Sequence, residues 1–276
     1  STMPRGNRSF FYPSVGLSAV ISQMAKLPEF INYLKVRGSY TEVGSPISKT
    51  GITPGTITHE LTADGLKTNK VYPYPEFKAE RTTSWEAGLN TKLFGNSLSV
   101  DLTLYKSNTY NQFFEQQLSA SSIYSSFYLQ AGNVENRGIE LSVNYNKEFF
   151  NKELNWNSTL TYSRNVNEIK ELVRGYRNPF TGELFDITEV RKGSTVLREG
   201  GSMSDVVVRG VLLRDVNGDL IEEASQYKFD KTQEVKLGRS TPDFQMGWRN
   251  TLSYKGIDLS FLFNGSFGGI VLGGTQ

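Results

Sequence analysis

The chain has 276 residues, of which 37% are hydrophobic and 12% aromatic, and its formal net charge is +2. It contains no cysteine, which excludes disulfide scaffolds, thiolate metal sites and cysteine nucleophiles. The balanced charge, without a basic run, gives no indication of nucleic-acid binding. A bundle of transmembrane helices is excluded because no stretch of about 18 apolar residues exists, but a β-barrel is not, because its strands are apolar only at alternate positions.

Eight segments alternate between apolar and polar residues, which is the period of a β-strand with two different faces. The third segment, for example, sets Trp85 and Leu89 against Glu86. We therefore predict an all-β chain of about eight antiparallel strands without a helical domain. In chain order the segments are residues 10–22, 30–44, 82–94, 97–111, 134–147, 153–168, 243–254 and 257–269.

The connections between these segments alternate between short and long. Residues 95–96 and 255–256 form short turns, whereas residues 45–81, 112–133 and 169–242 form long connections. In an up-and-down meander, alternate connections lie at opposite ends, so the long loops gather at one end. Outer-membrane barrels have this asymmetry, with short periplasmic turns and long extracellular loops, and each strand needs about 9–11 residues to cross the bilayer. The pattern favours a transmembrane barrel over a soluble sandwich.

In such a barrel the apolar residues face lipid and the polar residues face a wet lumen. Ser142 and Asn144, for example, are expected to line the lumen. Trp85 and Trp156 lie near strand ends, as in interfacial aromatic girdles, although core packing would explain each of them singly. The residues that we expect to face lipid are Leu102, Leu141, Val143, Leu160, Trp248 and Phe261.

Several passages resemble the barrel of TonB-dependent outer-membrane receptors, among them ERTTSWEAGLNTKLF, AGNVENRGIELSVNYN and LNWNSTLTYSRNVNEIKEL. The passage GRSTPDFQMGWRNTLSYKGIDLSFLFNGSFGG is more narrowly similar to the SusC-like family, the transporters of Bacteroidetes nutrient-uptake loci. The resemblance implies a barrel of about 22 strands with a plug and a TonB box. Residues 1–276 are then expected to be a partial barrel domain, cut at both ends. The N-terminal STMPRGNRSFFYPS has no signal-peptide pattern, which agrees with an internal piece.

The resemblance also implies a function. The chain would form the wall and the extracellular loops of an outer-membrane importer of oligosaccharides or peptides. A SusD-like lipoprotein would cap the extracellular mouth, and the TonB complex would supply energy through a region outside this sequence. The alternative is a cell-surface structural or adhesive β-protein that does not transport, with an arm of a polysaccharide hydrolase as a more distant possibility.

Aromatic residues are frequent in two of the long connections. Aromatic rings at a barrel mouth can stack on sugar rings or pack against a lid protein. Packing within the loops themselves would also account for them. The candidate ligand-binding residues are Tyr72, Tyr74, Phe113, Phe114, Tyr124, Phe127 and Tyr128.

One stretch, RDVNGDLIEEASQ, invites a calcium interpretation. Asp215, Asn217 and Asp219 occupy the first, third and fifth positions of such a loop. Leu220 stands where the loop requires glycine, and the twelfth position lacks the required glutamate. A hairpin through Asn217 and Gly218 is the preferred interpretation, because this pair favours a type I′ turn.

The sequence offers no candidate for a catalytic centre. His59 is the only histidine, and it lies in a connection rich in glycine and threonine. Glu222 and Glu223 are adjacent in the chain, but adjacency alone does not make an acid and base pair. We expect neither an enzyme nor a cofactor.

Overall fold

The computed structural model describes residues 6, 9–46, 58–63, 65–69, 71–72, 78–117, 126–177, 182–192, 195–223 and 226–271. These residues form β-strands and one helical turn, α1 (Ile21–Met24). In this part of the chain no helix has both the length and the apolar character to span a membrane. The strands are β1 (Ser14–Val20), β2 (Ile31–Ser45), β3 (Thr58–Thr62), β4 (Gly65–Asn69), β5 (Val71–Tyr72), β6 (Glu80–Leu93), β7 (Leu98–Gln117), β8 (Ser126–Phe149), β9 (Leu154–Glu171), β10 (Val173–Arg177), β11 (Leu184–Ile187), β12 (Glu189–Lys192), β13 (Thr195–Arg198), β14 (Asp205–Leu212), β15 (Glu222–Glu223), β16 (Gln226–Tyr227), β17 (Phe229–Arg239), β18 (Phe244–Tyr254) and β19 (Ile257–Phe267).

Eight long strands form one antiparallel meander in the order β1-β2-β6-β7-β8-β9-β18-β19. Each overlaps one of the eight predicted segments, so the predicted fold class and strand order are confirmed, although β1 is shorter than predicted, at seven residues, and β7 and β8 are longer. β5 joins this sheet through a short parallel pairing with β8. β1 and β19 occupy the two ends, and within the described residues they do not pair with each other. The sheet is therefore open, as a fragment of a larger barrel should be.

The strand register divides the meander into two faces, because residues paired across antiparallel strands lie on the same side of the sheet. We define the apolar face by two rows that each cross five strands, and the polar face by a row on the opposite side. The rows of the apolar face are Leu89, Leu102, Leu141, Tyr162 and Met246, and Val100, Val143, Leu160, Trp248 and Phe263. The row of the polar face is Asn90, Asp101, Ser142, Thr161 and Gly247.

The tight turns of the meander lie at one end of the sheet, which we call the short-turn end. β6 and β7 are joined through Gly95 (φ +64°) and Asn96 (φ +68°), and β18 and β19 through Lys255 (φ +46°) and Gly256 (φ +83°). Glycine and asparagine tolerate this left-handed backbone region best, which is why such residues end the strands here. Both predicted turns are confirmed, and the opposite end is the long-loop end.

The predicted loop at residues 112–133 is wrong for most of its length. β7 and β8 continue to pair from Gln112 opposite Ala131 to Gln117 opposite Ser126. Phenylalanine and tyrosine are strong strand formers, which favours continued pairing here. The aromatic residues that this correction moves from a loop into β7 and β8 are Phe113, Phe114, Phe127 and Tyr128. In the connection 45–81, Tyr72 likewise lies in a strand, β5.

The long connection predicted at residues 169–242 is folded. β9 runs on to Glu171, and the following residues, 172–242, which we call the insert, build three small sheets. The largest has the order β12-β13-β14-β17, and β10-β11 and β15-β16 form two ribbons. A connection of this length without structure of its own is uncommon in a compact protein. In the connection before β6, β3 and β4 pair as a hairpin that contains His59.

Candidate transport surface

Arg37 lies flat across the polar face and connects two strands that are not neighbours. From β2 its Nη2 donates to Asp101 Oδ1 on β7 at 2.9 Å and to Thr103 Oγ1 at 2.6 Å. Asn90 on the intervening strand β6 donates to Asp101 Oδ2 at 2.8 Å. Gly88 lies beneath the Arg37 side chain, and a Cβ added there would overlap it. The glycine is what allows the guanidinium to lie along the wall.

Tyr105 repeats this arrangement two strands further along the sheet, from β7 to β9. Its hydroxyl passes over Gly138 on β8 and donates to Asn165 Oδ1 on β9 at 3.2 Å. A Cβ at Gly138 would overlap the tyrosine ring. Glycine inside a strand commonly marks such a close approach. Long side chains on this part of the polar face therefore lie along the sheet and are hydrogen-bonded to it.

The polar face is concave. A depression of about 610 Å³ follows it across β7, β8, β9, β18 and β19, and its lining includes Asp101, Glu140, Ser142, Thr161 and Asn264. A concave polar surface backed by an apolar one is the arrangement of a barrel wall around a water-filled interior.

The insert is tied to the polar face at the long-loop end. Asn167 Oδ1 accepts hydrogen bonds from the backbone N–H of Met203 at 2.7 Å and from Ser202 Oγ at 3.1 Å. Asn167 Nδ2 in turn donates to Asn136 Oδ1 at 3.0 Å, and these two residues are paired on the polar face. Backbone bonds reinforce the attachment, from Ile169 N–H to the Gly201 carbonyl at 2.8 Å and from Gly200 N–H to the Ile169 carbonyl at 2.7 Å.

A small hydrophobic core strengthens this attachment. Val134 and Ile169 are paired on the polar face, where they are 2% and 0% exposed. Leu172, Val190 and Leu197 of the insert pack against them. The insert covers these two residues, which explains why apolar side chains stand on an otherwise polar face. Each is buried only when the insert is folded. The insert therefore packs against the polar face at the long-loop end.

A second depression, of about 480 Å³, lies between the polar face and the insert. Asn136 and Asn165 line it from the wall, and Ser202, Ser204 and Arg239 line it from the insert. Its amide, hydroxyl and guanidinium groups can exchange hydrogen bonds with sugar hydroxyls and with peptide groups alike.

Charged pairs fix the ribbons of the insert. Asp186 accepts the backbone N–H of Gly175 at 2.9 Å and a hydrogen bond from Arg174 at 3.1 Å. Both bonds favour the ionised carboxylate and hold the pKa of Asp186 below its ordinary value, with the backbone bond contributing most. Hydrogen bonds from Thr232 lower the pKa of Asp230 in the same way. These carboxylates hold local structure.

The six residues predicted to face lipid all lie on the apolar face. Five belong to the rows that define it, and Phe261 follows Phe263 on the same side of β19. Leu160 is 37% exposed and Trp248 is 44% exposed, as residues on an uncovered face would be. The Trp248 ring packs edge-on against Phe261 and is stacked with Phe263, each at 6.1 Å between centroids.

The candidate ligand-binding aromatics are brought together only in part. Tyr72 is opposite Phe127 in the parallel pairing of β5 with β8. In β7 and β8, Phe113 and Phe114 are opposite Gln130 and Leu129. Tyr74 and Tyr124 lie outside the described residues.

The calcium candidate adopts a tight turn. Asp215 Oδ1 accepts the backbone N–H groups of Asn217 at 2.8 Å and Asp219 at 2.9 Å. The Gly218 N–H reaches the Asp215 carbonyl at 3.0 Å, which makes Val216 and Asn217 the central residues. Of the turn residues Val216, Asn217 and Gly218, only Gly218 has a positive φ, +90°. A type I′ turn centred on Asn217 and Gly218 needs a positive φ at both, so that predicted turn type is wrong. The described part of the chain holds no group of three or more acidic or histidine side chains placed to bind a metal.

Sequence reasoning missed the side chains that organise the polar face. The sequence alone did not indicate Arg37, Tyr105 and Asn167. Each of them bonds to residues far away in the chain, and such pairings cannot be read from one sequence. Gly88 and Gly138 were the available signal, since an interior strand glycine indicates that another group approaches the backbone closely.

Comparison with known proteins identifies the family. The family model described as TonB dependent receptor-like, beta-barrel, matches residues 2–194. The chain belongs to the TonB-dependent receptor β-barrel family. It is 26% identical over 303 residues to TonB-dependent receptor P3 of Formosa agariphila and 28% identical over 291 residues to TonB-dependent receptor P26 of that organism. These alignments cover 100% and 95% of the chain but 30% and 28% of the relatives, so it spans less than a third of their length.

Solved structures agree on the fold of this TonB-dependent receptor barrel segment. The structure of the RagAB peptide transporter matches with a TM-score of 0.73 at 20% identity, over 95% of this chain and 30% of that one. The RagAB peptide importer in its closed-closed state gives a TM-score of 0.73 at 21% identity, over 96% and 30%. The open meander is thus a fragment of a larger outer-membrane β-barrel.

Proposed function

We propose that the chain forms part of the wall and the extracellular mouth of a TonB-dependent importer of the SusC-like type, which takes up oligosaccharides or peptides. The observation that carries this proposal is the insert, which packs on the polar face at the long-loop end. A folded element at the entrance of a polar passage is suited to select what enters. In this scheme the chain is passive, and energy arrives from the TonB complex through another part of the full-length protein.

The lining of the passage supports a polar substrate. The depression between wall and insert is lined by the amide residues Asn136 and Asn165, by Ser202 and Ser204, and by Glu140. Arg239 at the same site is paired with Asp243, which offsets its charge. Oligosaccharides and peptides both present alternating donors and acceptors that match such groups.

A SusD-like surface lipoprotein is the partner that we propose for the mouth. The insert presents exposed apolar side chains, among them Leu184, Tyr227 and Phe229. Exposed apolar groups at the end of a protein commonly mark contact with another protein. Purification of the tagged full-length receptor in mild detergent tests this, and recovery of the receptor without a lipoprotein would contradict it.

A growth experiment tests the importer proposal. The gene for the full-length protein is deleted, and the strain is grown with oligosaccharides or with oligopeptides as the limiting nutrient. We expect slow growth on one of the two classes and restoration by the wild-type gene. A variant with Ser202→Ala, Ser204→Ala and Arg239→Ala should restore growth poorly, although its surface level is unchanged.

The alternative, a structural or adhesive surface protein, predicts a different result. Growth would then be independent of the gene on every nutrient, while attachment of cells to surfaces or to each other would fall. That outcome would overturn the importer proposal. A variant with Val216→Ala serves as a matched control, because Val216 lies on the insert away from the depression and is fully exposed.

A further inference from the structure

The hydrophobic rows of the apolar face end before the strands do. Toward the long-loop end, one row carries the aromatic pair Tyr40 and Trp85, with ring centroids 4.5 Å apart, and then Lys106 and Arg137. The row beyond it is polar and charged, and consists of Glu42, Thr83, Asn108, Glu135 and Glu168. Aromatic rings beside charged groups mark the level of lipid headgroups in membrane barrels.

The position of this limit along each strand supports that assignment. The first charged residue on the apolar face is Glu42 on β2, Arg81 on β6, Lys106 on β7, Arg137 on β8 and Arg164 on β9. From β2 to β9 the limit moves by two rows, or four residues, which is about 13 Å along a strand, while four strand spacings measure about 19 Å. A limit parallel to the membrane then requires a strand tilt of about 35°, within the range of outer-membrane barrels.

Basic and acidic side chains at this limit differ in exposure. The Glu135 side chain is 7% exposed, whereas Lys106 and Arg137 are 56% and 58% exposed. Lys106 Nζ lies 2.9 Å from Glu135, and Lys170 Nζ lies 2.7 Å from Glu168. Glu135 therefore lies behind Lys106 and Arg137, whereas Glu168 and its partner Lys170 are similarly exposed, at 30% and 36%. We call Lys106, Arg137, Arg164 and Lys170 the basic patch.

The basic patch carries more charge than its carboxylates neutralise. It has four cations on three adjacent strands against three carboxylates, Glu135, Glu168 and Glu171. Arg164 is opposite Ile139 on the apolar face, is exposed and has no carboxylate partner among the described residues; it also borders the second depression, which lies on the other side of the sheet. An anion that reaches the patch from the lipid side would meet outward-pointing lysine and arginine donors, which suit phosphate oxygens.

We propose that the basic patch binds the phosphate groups of lipid headgroups in the membrane leaflet at the long-loop end. The inference rests on the apolar face being turned toward lipid, and it goes beyond the import function. Such a site anchors the barrel at a fixed height, because the patch holds the headgroups while the rows below it lie in the acyl chains. Each cation strengthens the attraction to an anionic headgroup about fivefold.

The test uses the full-length receptor, purified in dodecyl maltoside and titrated with palmitoyl-oleoyl phosphatidylglycerol. Bound lipid is counted by native mass spectrometry. The variant with Arg137→Gln, Arg164→Gln and Lys170→Gln should lose about 100-fold in apparent affinity, as three contributions of about fivefold multiply. Diacylglycerol, which has no phosphate, should bind to neither protein at this site.

The matched control removes three positive charges from the polar face through Lys35→Gln, Lys92→Gln and Arg249→Gln, and it should retain wild-type affinity. An equal loss in both triple variants would show a general charge effect and overturn the proposal. Displacement of the lipid by millimolar inorganic phosphate would overturn the assignment to a lipid. If the first triple variant does not fold, Arg164→Gln alone should lower the affinity about fivefold, and an unchanged affinity would again refute the site.

Discussion

Adjacent residues on one strand of this wall face different surroundings. Leu141 lies on the apolar face and Ser142 on the polar face of β8. We expect Leu141→Arg to destabilise the folded barrel in lipid by about 2–4 kcal/mol near the bilayer midplane, because it places a charge in hydrocarbon. Ser142→Arg should cost much less, since its side chain remains in water. Folding of the two full-length variants into vesicles, followed in urea, measures the difference, and equal costs would refute the assignment of the faces.

Gly88 is a position on the polar face where a single methyl group should disturb a neighbouring side chain. Gly88→Ala puts a Cβ into the Arg37 side chain and should destabilise the barrel by about 1–3 kcal/mol through overpacking. In the double variant with Arg37→Ala, the clash is gone, and the two effects should not add. A double-mutant cycle in the urea-unfolding assay measures this coupling, and strictly additive effects would show that Arg37 does not lie over Gly88 in the membrane.

At the scale of elements, the insert depends on a core that it shares with the wall. Leu172 is 0% exposed between β9 and the insert sheets. Leu172→Ala should destabilise the insert by about 2–5 kcal/mol, as large-to-small substitutions in a core do, while the membrane strands remain paired. Limited proteolysis of intact outer membranes should then cut the insert faster.

The matched control for this experiment is Val216→Ala, at a turn of the insert where the side chain touches little. It should leave the rate of cleavage unchanged. Accelerated cleavage in both variants, or in neither, would contradict a core that joins the insert to the wall.

The meander could be predicted from the sequence, and the insert could not, for a physical reason. Alternation of residues such as Leu102 and Thr103 is a local pattern that reports both the strand and its two faces. The core that joins Val134 to Leu197 depends on contacts between residues far apart in the chain. The limits of β7 and β8 were missed for a related reason, because pairing continues wherever the partner strand continues, and an ending cannot be located on one strand alone.

For the whole molecule, the two ends of the sheet should lie on opposite sides of the membrane. Cysteine at Val216 of the full-length protein should react with a membrane-impermeant maleimide on intact cells, because long loops of these barrels face outward. Cysteine at Gly95 should react only after lysis. Labelling at Gly95 but not at Val216 on intact cells would reverse the orientation.

The isolated 276-residue chain should not behave as a soluble protein. β1 and β19 leave unpaired edges, and the apolar face exposes Leu104 and Trp248, among others. Open edges recruit other chains in water and leave backbone groups without partners in lipid. We expect the purified fragment to aggregate unless detergent is present. A monomeric fragment with a cooperative melt in plain buffer would count against the membrane assignment.

The flat-lying side chains of the polar face bear on how fast a solute can move past them. The Arg37 side chain donates hydrogen bonds to Asp101 and Thr103, and the Tyr105 hydroxyl donates to Asn165, so both are paired within the wall itself. A solute that passes these two side chains meets groups that are already paired with the wall, so it is held weakly there. Passage through a channel requires binding that is weak enough to release, and at Arg37 and Tyr105 the wall suits the proposed import in this respect.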